Sequence, residues 1–356
     1  MNETTKMDKK RYYQIDFAKA IGIFLVILSH VIFFNKDLGA GLKLFNRFIN
    51  SFHMPLFFII SGLNLGLSKR KEDKSSYKLL CKKILIPYLV WSILYIILFS
   101  LYLPYDYFGV DTVGEKIYSA VSFYGMIPLW FLSALFLGQI VYRFVTGFKV
   151  FDSHSKISHF SFLLIVFGVS VLVDREFHPY PSNLDILYAY PIIAVCRVFP
   201  VLFFLETGYY LSLIWERYIK LEMKFRFFIF LLNVLFLYLL KDIFMYNNYL
   251  SYFIIQDMKS FFVTGILGSF LVISFCGLFN REIVVITEIG KRTMDIMTLH
   301  LQPIPIAYFL SYVFAYLGLK DSVFIYSIIL LIVCYWVSKL VCDKIRFHFM
   351  DSISKN

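Results

Sequence analysis

Residues 15–34 read IDFAKAIGIFLVILSHVIFF. Apart from Asp16 and Lys19 near the start and Ser29-His30 near the end, this stretch is apolar. As a helix it is long enough to cross a bilayer core of ~30 Å. A polar, basic segment precedes it and no cleavage-site pattern follows it, so it reads as a retained helix rather than a removed signal. At ~100° per residue, the step from Lys19 to His30 turns about 1100° and returns to within about 20° of its starting direction. Asp16, one helical turn before Lys19, lies on a neighbouring part of the same face. One stripe therefore carries a carboxylate and an ammonium at one end. An imidazole sits roughly 16 Å further along, at ~1.5 Å rise per residue. Ionisable groups are costly inside a membrane, so each is a candidate for function. The plainer alternative makes Asp16 and Lys19 an interfacial ion pair and His30 a helix-end residue. For the ion pair alone, that alternative is at least as good.

Blocks of the same length recur outward from this one. Of 356 residues, 59% are hydrophobic and 17% charged, where a soluble domain carries roughly 25% charged residues. The mean hydropathy is +0.71. Apolar spans are expected near 15–34, 48–67, 84–103, 125–145, 157–174, 191–214, 226–245, 260–279, 293–317 and 322–342. Arg197 and Glu206 interrupt the sixth and His300 the ninth, while Ile283–Ile289 fits a short segment along the interface. The net charge of +11 does not mark a nucleic-acid partner, because the positive residues collect in alternate loops. The N-terminal tail, loops 68–83, 146–156, 215–226 and 280–292, and the C-terminal tail are rich in Lys and Arg; the other loops are poor in them. Basic loops stay cytoplasmic, which predicts both termini on that side. The fold class is thus an all-α, polytopic integral membrane protein of about ten transmembrane helices. A single domain over 1–356 is expected, with a basic cytoplasmic tail 1–14 and no appended soluble domain. Five scattered cysteines show no metal-like spacing and read as packing residues, so no metal site is expected.

Further polar residues return to membrane depth. His53, in Ser51-Phe52-His53-Met54-Pro55, enters the second span from the same side on which His30 leaves the first. Lys82 and Lys83 close the most basic loop just before Pro87-Tyr88. They serve either as topology determinants or as a phosphate-binding mouth for an anionic cofactor. Pro87 in the opening turn of a span limits backbone pairing there. Trp130, in Pro128-Leu129-Trp130, reads as an aromatic anchor. Arg197 and Glu206, nine residues apart, fall on opposite faces of one helix, and each needs a partner elsewhere or a watery cavity. His300 reads as a buried structural histidine nearer the cytoplasmic half.

These residues together resemble the acyltransferase 3 family of membrane O-acyltransferases. Its members open with an Ile-Asp-x-x-Arg/Lys helix that ends in histidine, matched by Ile15-Asp16 through Lys19 to His30. The Met-Pro-Leu-Phe-Phe-x-x-Ser-Gly signature stands at Met54 to Gly62, and a basic run into Pro-Tyr stands at Lys82 to Tyr88. Trp130-Phe131-Leu132 and Leu299-His300 complete the series, with Thr293 where serine is usual. The flavour is that of the short, single-domain, fucose O-acetyltransferase-like branch. The resemblance implies an enzyme, an O-acetyltransferase of the cell membrane. It moves an acyl group, usually acetyl from acetyl-CoA, to a hydroxyl of a cell-surface carbohydrate such as an exopolysaccharide, a capsule or a lipid-linked glycan. No permanently bound cofactor is implied, and membrane lipids are the remaining partners. His30, Lys19 and Asp16 take catalytic roles under this reading. Lys82, Lys83 and Lys19 hold the CoA phosphates, and His53, Arg197 and Trp130 hold the acceptor. Two rivals remain: a transporter or flippase of a lipid-linked sugar, favoured by discontinuous helices and repeats, and a membrane sensor or scaffold. No repeat is visible in the sequence.

Overall fold

A computed structural model of the chain describes residues 11–35, 38–68, 74–102, 112–126, 128–148, 151, 156–177, 186–301, 305–317 and 322–343. Most of the expected tail, residues 1–10, and the end of the chain from 344 lie outside the described residues. The helices are α1 (Tyr13–Phe34), α2 (Ala40–Leu67), α3 (Lys74–Leu80), α4 (Ile86–Tyr102), α5 (Val113–Val121), α6 (Trp130–Thr146), α7 (Lys156–Phe177) and α8 (Ile186–Lys220). There follow α9 (Met223–Leu239), α10 (Met258–Cys276), α11 (Val284–Lys291), α12 (Thr293–Leu299), α13 (Pro305–Tyr316) and α14 (Val323–Val337). A two-residue antiparallel pair, β1 (Asn248–Tyr249) with β2 (Ile254–Ile255), lies between α9 and α10. Among the described residues, seven helices are long and apolar enough to cross a membrane, and α6 is a shorter apolar one. The chain is an all-α, multi-pass membrane protein. Its outer faces remain apolar, with Phe228, Tyr238, Ile165 and Leu172 among the exposed side chains, as lipid contact requires.

The centre of the bundle is the seam of α2 and α8, flanked by α1, α6, α7 and α10. Without a hydrophobic drive between helices inside lipid, close backbone approach has to supply the association, and small residues permit it. A side chain at Gly62 would start 1.9 Å from the Leu205 carbonyl oxygen, and one at Gly208 would start 2.0 Å from that of Ile59. The two backbones therefore touch in both directions. Gly290 plays the same part where α11 lies across α1, with Asp16 O at 2.0 Å from its absent side chain.

Polar bonds tie the basic ends of the helices together. Tyr13 Oη donates to Phe279 O at 3.1 Å, and Arg226 Nη1 donates to Gly277 O at 2.5 Å. Arg292 holds Asp343 with two nitrogens, at 2.9 and 2.6 Å, and Ser338 Oγ donates to Asp295 Oδ2 at 2.9 Å. The start of α1, the turn after α10, the junction of α11 with α12 and the end of α14 thus meet at one end of the bundle.

Three elements depart from the sequence expectation. The fourth span was expected from 125, but α6 begins at Trp130; Phe123 and Gly125 have positive φ (58° and 75°) and turn the chain instead. The seventh ends at Leu239 and passes into a 3-10 turn, Lys241–Met245. The ninth, expected as one helix over 293–317, is broken into α12 and α13. Pro303 and Pro305 lack the N–H groups that would continue the ladder. Side chains bond two other carbonyls of the last turn of α12: Tyr95 Oη donates to Thr298 O at 2.9 Å and His300 Nδ1 to Met297 O at 2.7 Å. The third passage begins in a π-helical turn, Cys81–Leu85, in which Ile86 N reaches back to Cys81 O. Pro87, next in line, offers no N–H to Lys83 O, which explains the widened turn there.

The seam makes a clear prediction. Replacing Gly208 by Ala forces α8 off α2 and should destabilise the protein by about 1–3 kcal/mol, the cost of overpacking. Gly168 on α7 is surrounded by open space, and a methyl group added there meets nothing within 4 Å, so Gly168→Ala should be neutral. Thermal unfolding of the purified protein in detergent compares the two.

Candidate functional site

At the end of the bundle opposite the basic contacts lies a cavity of about 230 Å³. It is bounded by α1 (Ser29, His30, Phe33), α2 (Asn50, His53), Trp130 at the head of α6, and the 248–252 segment with Tyr249 and Tyr252. The sequence placed His30 and His53 at similar depth on neighbouring helices, and the structure brings both into this one cavity. Ser29 Oγ donates to Asn50 Oδ1 at 2.7 Å, which joins α1 to α2 at the cavity wall.

The three histidines here differ in what holds them. His53 Nδ1 lies 2.8 Å from Ile49 O, and His300 Nδ1 lies 2.7 Å from Met297 O and 3.3 Å from Ile296 O. A carbonyl oxygen can only accept, so in both rings Nδ1 carries the proton and Nε2 holds the lone pair of the neutral imidazole. His300 Nε2 is buried and has no hydrogen-bond partner among the described residues. His30 makes ring contacts alone among those residues, with Phe34 at 6.2 Å and with His300 at 5.2 Å between centroids. No hydrogen bond fixes which of its nitrogens bears the proton. The expectation that His300 lies nearer the basic half is corrected: the short α12 carries it to the depth of His30.

Arg197 sits behind the Trp130 wall. Its guanidinium lies 4.7 Å from the Tyr124 ring and 5.4 Å from the Trp130 ring, and Nη1 donates to Tyr124 O at 2.6 Å. At 1% exposure it is fully buried, while Nε and Nη2 have no partner among the described residues. A desolvated guanidinium is stabilised by aromatic faces, and here they take the place of a carboxylate. Burial pushes the Tyr252 phenol up to about 12, with Tyr124 adding to the shift and Arg197 opposing it. Tyr252 therefore stays an uncharged O–H donor at the cavity edge.

Asp16 and Lys19 lie at the far end of α1 and do pair. Asp16, 2% exposed, is 3.3 Å from Lys19 Nζ and 2.7 Å from Arg11 Nε. Lys82 and Lys83 are exposed on the π-helical turn, which packs against α6. None of these lysines lines the cavity. The sequence-predicted residues thus divide into two groups at opposite ends of the bundle, with α1 running between them.

Glu206 belongs to neither group. Its carboxylate accepts from Tyr142 Oη at 2.8 Å, and His159 Nδ1 lies 2.9 Å from its other oxygen, with the His159 ring stacked on Tyr209. Glu206 and Arg197 indeed do not pair; each found the separate partners that their opposite helix faces demand. Sequence reading passed over His159, because a histidine in the first turn of a span gives no sign of what faces it. It also passed over Asn248, Tyr249 and Tyr252, in a chain with 26 tyrosines where one more carries no signal. Among the described residues, no three His, Cys, Asp or Glu side chains converge as metal ligands.

The comparison that decides the family covers nearly the whole chain. A family model described as an acyltransferase domain matches residues 12–339. The chain is a member of the acyltransferase 3 family. No curated protein and no solved structure matches it significantly. As a family member it is a membrane acyltransferase, and the matched region runs from the residue before α1 to the π-helical turn after α14.

The Glu206 cluster is a structural tie between α6, α7 and α8 and should behave as one. Glu206→Ala removes the carboxylate that Tyr142 Oη and His159 share, at about 1–3 kcal/mol for a buried group that loses its acceptor. The expected outcome is a lowered melting temperature, with residual activity of the folded fraction unchanged.

Proposed function

We propose that this acyltransferase moves an acetyl group, or another short acyl group, from acyl-CoA to a hydroxyl of a cell-surface or lipid-linked carbohydrate. The observation that carries this reading is His30: an imidazole with no hydrogen-bond partner among the described residues, standing in a cavity walled by aromatic rings and amides. Neutral imidazole has the basicity to take a proton from a sugar hydroxyl near neutral pH. Trp130, Tyr249 and Tyr252 offer flat faces to a sugar ring, while Asn50 and Asn248 offer amides to its hydroxyls. His53, with its lone pair on Nε2, accepts from the acceptor at the same wall. Arg197 polarises the wall from behind and favours negative charge developing on the thioester oxygen.

The donor enters from the other end. Lys82 and Lys83 present exposed ammonium groups suited to phosphate, and Lys19 is held at the head of α1 by Asp16. The charge pattern puts that end in the cytoplasm, with both termini there and about ten passages through the cell membrane. The acyl group then passes along the bundle towards His30. In the transfer step the acceptor oxygen bonds to the thioester carbonyl carbon and its proton goes to His30. The C–S bond breaks, and that proton leaves with the thiolate.

One observation favours a second reading. The break between α12 and α13 is a discontinuous passage, a feature of transporters. The two readings separate in vesicles supplied with radiolabelled acetyl-CoA and membrane glycans. Acyl transfer predicts label on the glycan that falls about 10²–10⁴-fold in His30→Ala at matched protein level, the contribution of a general base. Movement of a lipid-linked sugar that ignores both acetyl-CoA and His30 is what transport predicts.

A further inference from the structure

His30 and His300 are held differently, and the difference assigns them unequal roles. His300 is fixed at both its backbone and its ring. It ends α12, its Nδ1–H is committed to the Met297 and Ile296 carbonyls, and it is 2% exposed. His300 N also donates to Ile296 O at 3.1 Å, so backbone and ring are both pinned to the last turn of α12. What remains is Nε2, a buried lone pair with no donor among the described residues. A buried acceptor left unsatisfied costs free energy, and a donor within reach removes that cost. The ring packed against it is His30, 5.2 Å away between centroids and tilted by 44°. His30 is the one of the pair that lines the cavity, and its described contacts are ring contacts.

We infer that His300 is the positioning residue for His30: a turn of the His30 ring brings one of its N–H groups onto His300 Nε2, and the other, unprotonated nitrogen of His30 then faces the acceptor hydroxyl. This rests on the acyl-transfer reading and adds to it the group that sets the tautomer of the base. His300 stands to His30 as an orienting acceptor stands to any catalytic histidine, with an imidazole in place of the usual carboxylate. When the hydroxyl proton arrives on His30, both its nitrogens carry hydrogen, and the bond to His300 Nε2 becomes charge-assisted and stronger. The proton then passes to the departing thiolate and the pair returns to its starting state. His53 is the other imidazole within electrostatic reach of His30. It too lines the cavity, but its ring makes no stacking contact with His30.

Two replacements separate an orienting role from a structural one. An asparagine at 300 keeps a donor for the Met297 carbonyl but has nothing at the Nε2 position. A glutamine places an amide oxygen near Nε2 and can accept from His30. Orientation predicts that His300→Asn lowers kcat by about 10–100-fold with little change in KM, the scale of losing a histidine's orienting partner, and that His300→Gln recovers most of the loss. Asparagine matching wild type, or glutamine doing no better than asparagine, overturns the assignment. A second measurement does not depend on turnover. In 15N spectra of the histidine-labelled protein in lipid, His300 should appear as the Nδ1–H tautomer, and its Nε2 resonance should move in His30→Phe. An Nε2 signal indifferent to His30 overturns the pairing even if transfer is observed. Should wild type transfer no acyl group while that signal does move, the acyl-transfer reading fails and the pairing stands.

Discussion

Two helix backbones in direct contact organise this molecule. Where α2 meets α8, Gly62 and Gly208 remove the side chains that would hold the axes apart. Lipid gives helices no hydrophobic reason to associate, so the closeness of this seam supplies the van der Waals contact that water expulsion supplies elsewhere. His53, Arg197 and Glu206 hang from it. His53 projects from one side of α2 into the cavity. Arg197 and Glu206 project from two faces of α8, one towards the cavity wall and the other into the tie with α6 and α7.

The seam also explains how two charged residues are tolerated on a membrane helix. Arg197 is surrounded by aromatic rings and a carbonyl, while Glu206 is enclosed by a phenol and an imidazole. Neither faces lipid, in keeping with the rule that intramembrane charge turns inward. The arrangements differ in completeness. Both Glu206 oxygens are satisfied, which is the state of a finished structural tie. Arg197 keeps two nitrogens without acceptors among the described residues.

The parts of the fold legible in the sequence were those fixed by length and periodicity. The stripe from Lys19 to His30 follows from 3.6 residues per turn, and α1 carries it with the Asp16–Lys19 pair at its head. The opposition of Arg197 and Glu206 followed from the same arithmetic. What escaped the sequence depended on through-space meetings or on local backbone choices. The start of α6 shifted because Phe123 and Gly125 adopt positive φ, a turn that hydropathy does not see. The ninth span looked continuous because its apolar run overrides two prolines in a window average. His300 was placed too near the basic end for the same reason. Its meeting with His30 depends on where a helix stops, and only the carbonyls it caps reveal that.

The late start of α6 has an effect on the surrounding bilayer. Seventeen residues of helix reach only ~26 Å, against a hydrocarbon thickness of ~30 Å. α7, tied to α6 through Glu206, has 22 residues and no such shortfall. A membrane answers such a mismatch by thinning beside the short element or by drawing headgroups inward. Trp130, the first residue of α6, is also a wall of the cavity. Any thinning of the bilayer beside the head of α6 therefore falls at the cavity wall.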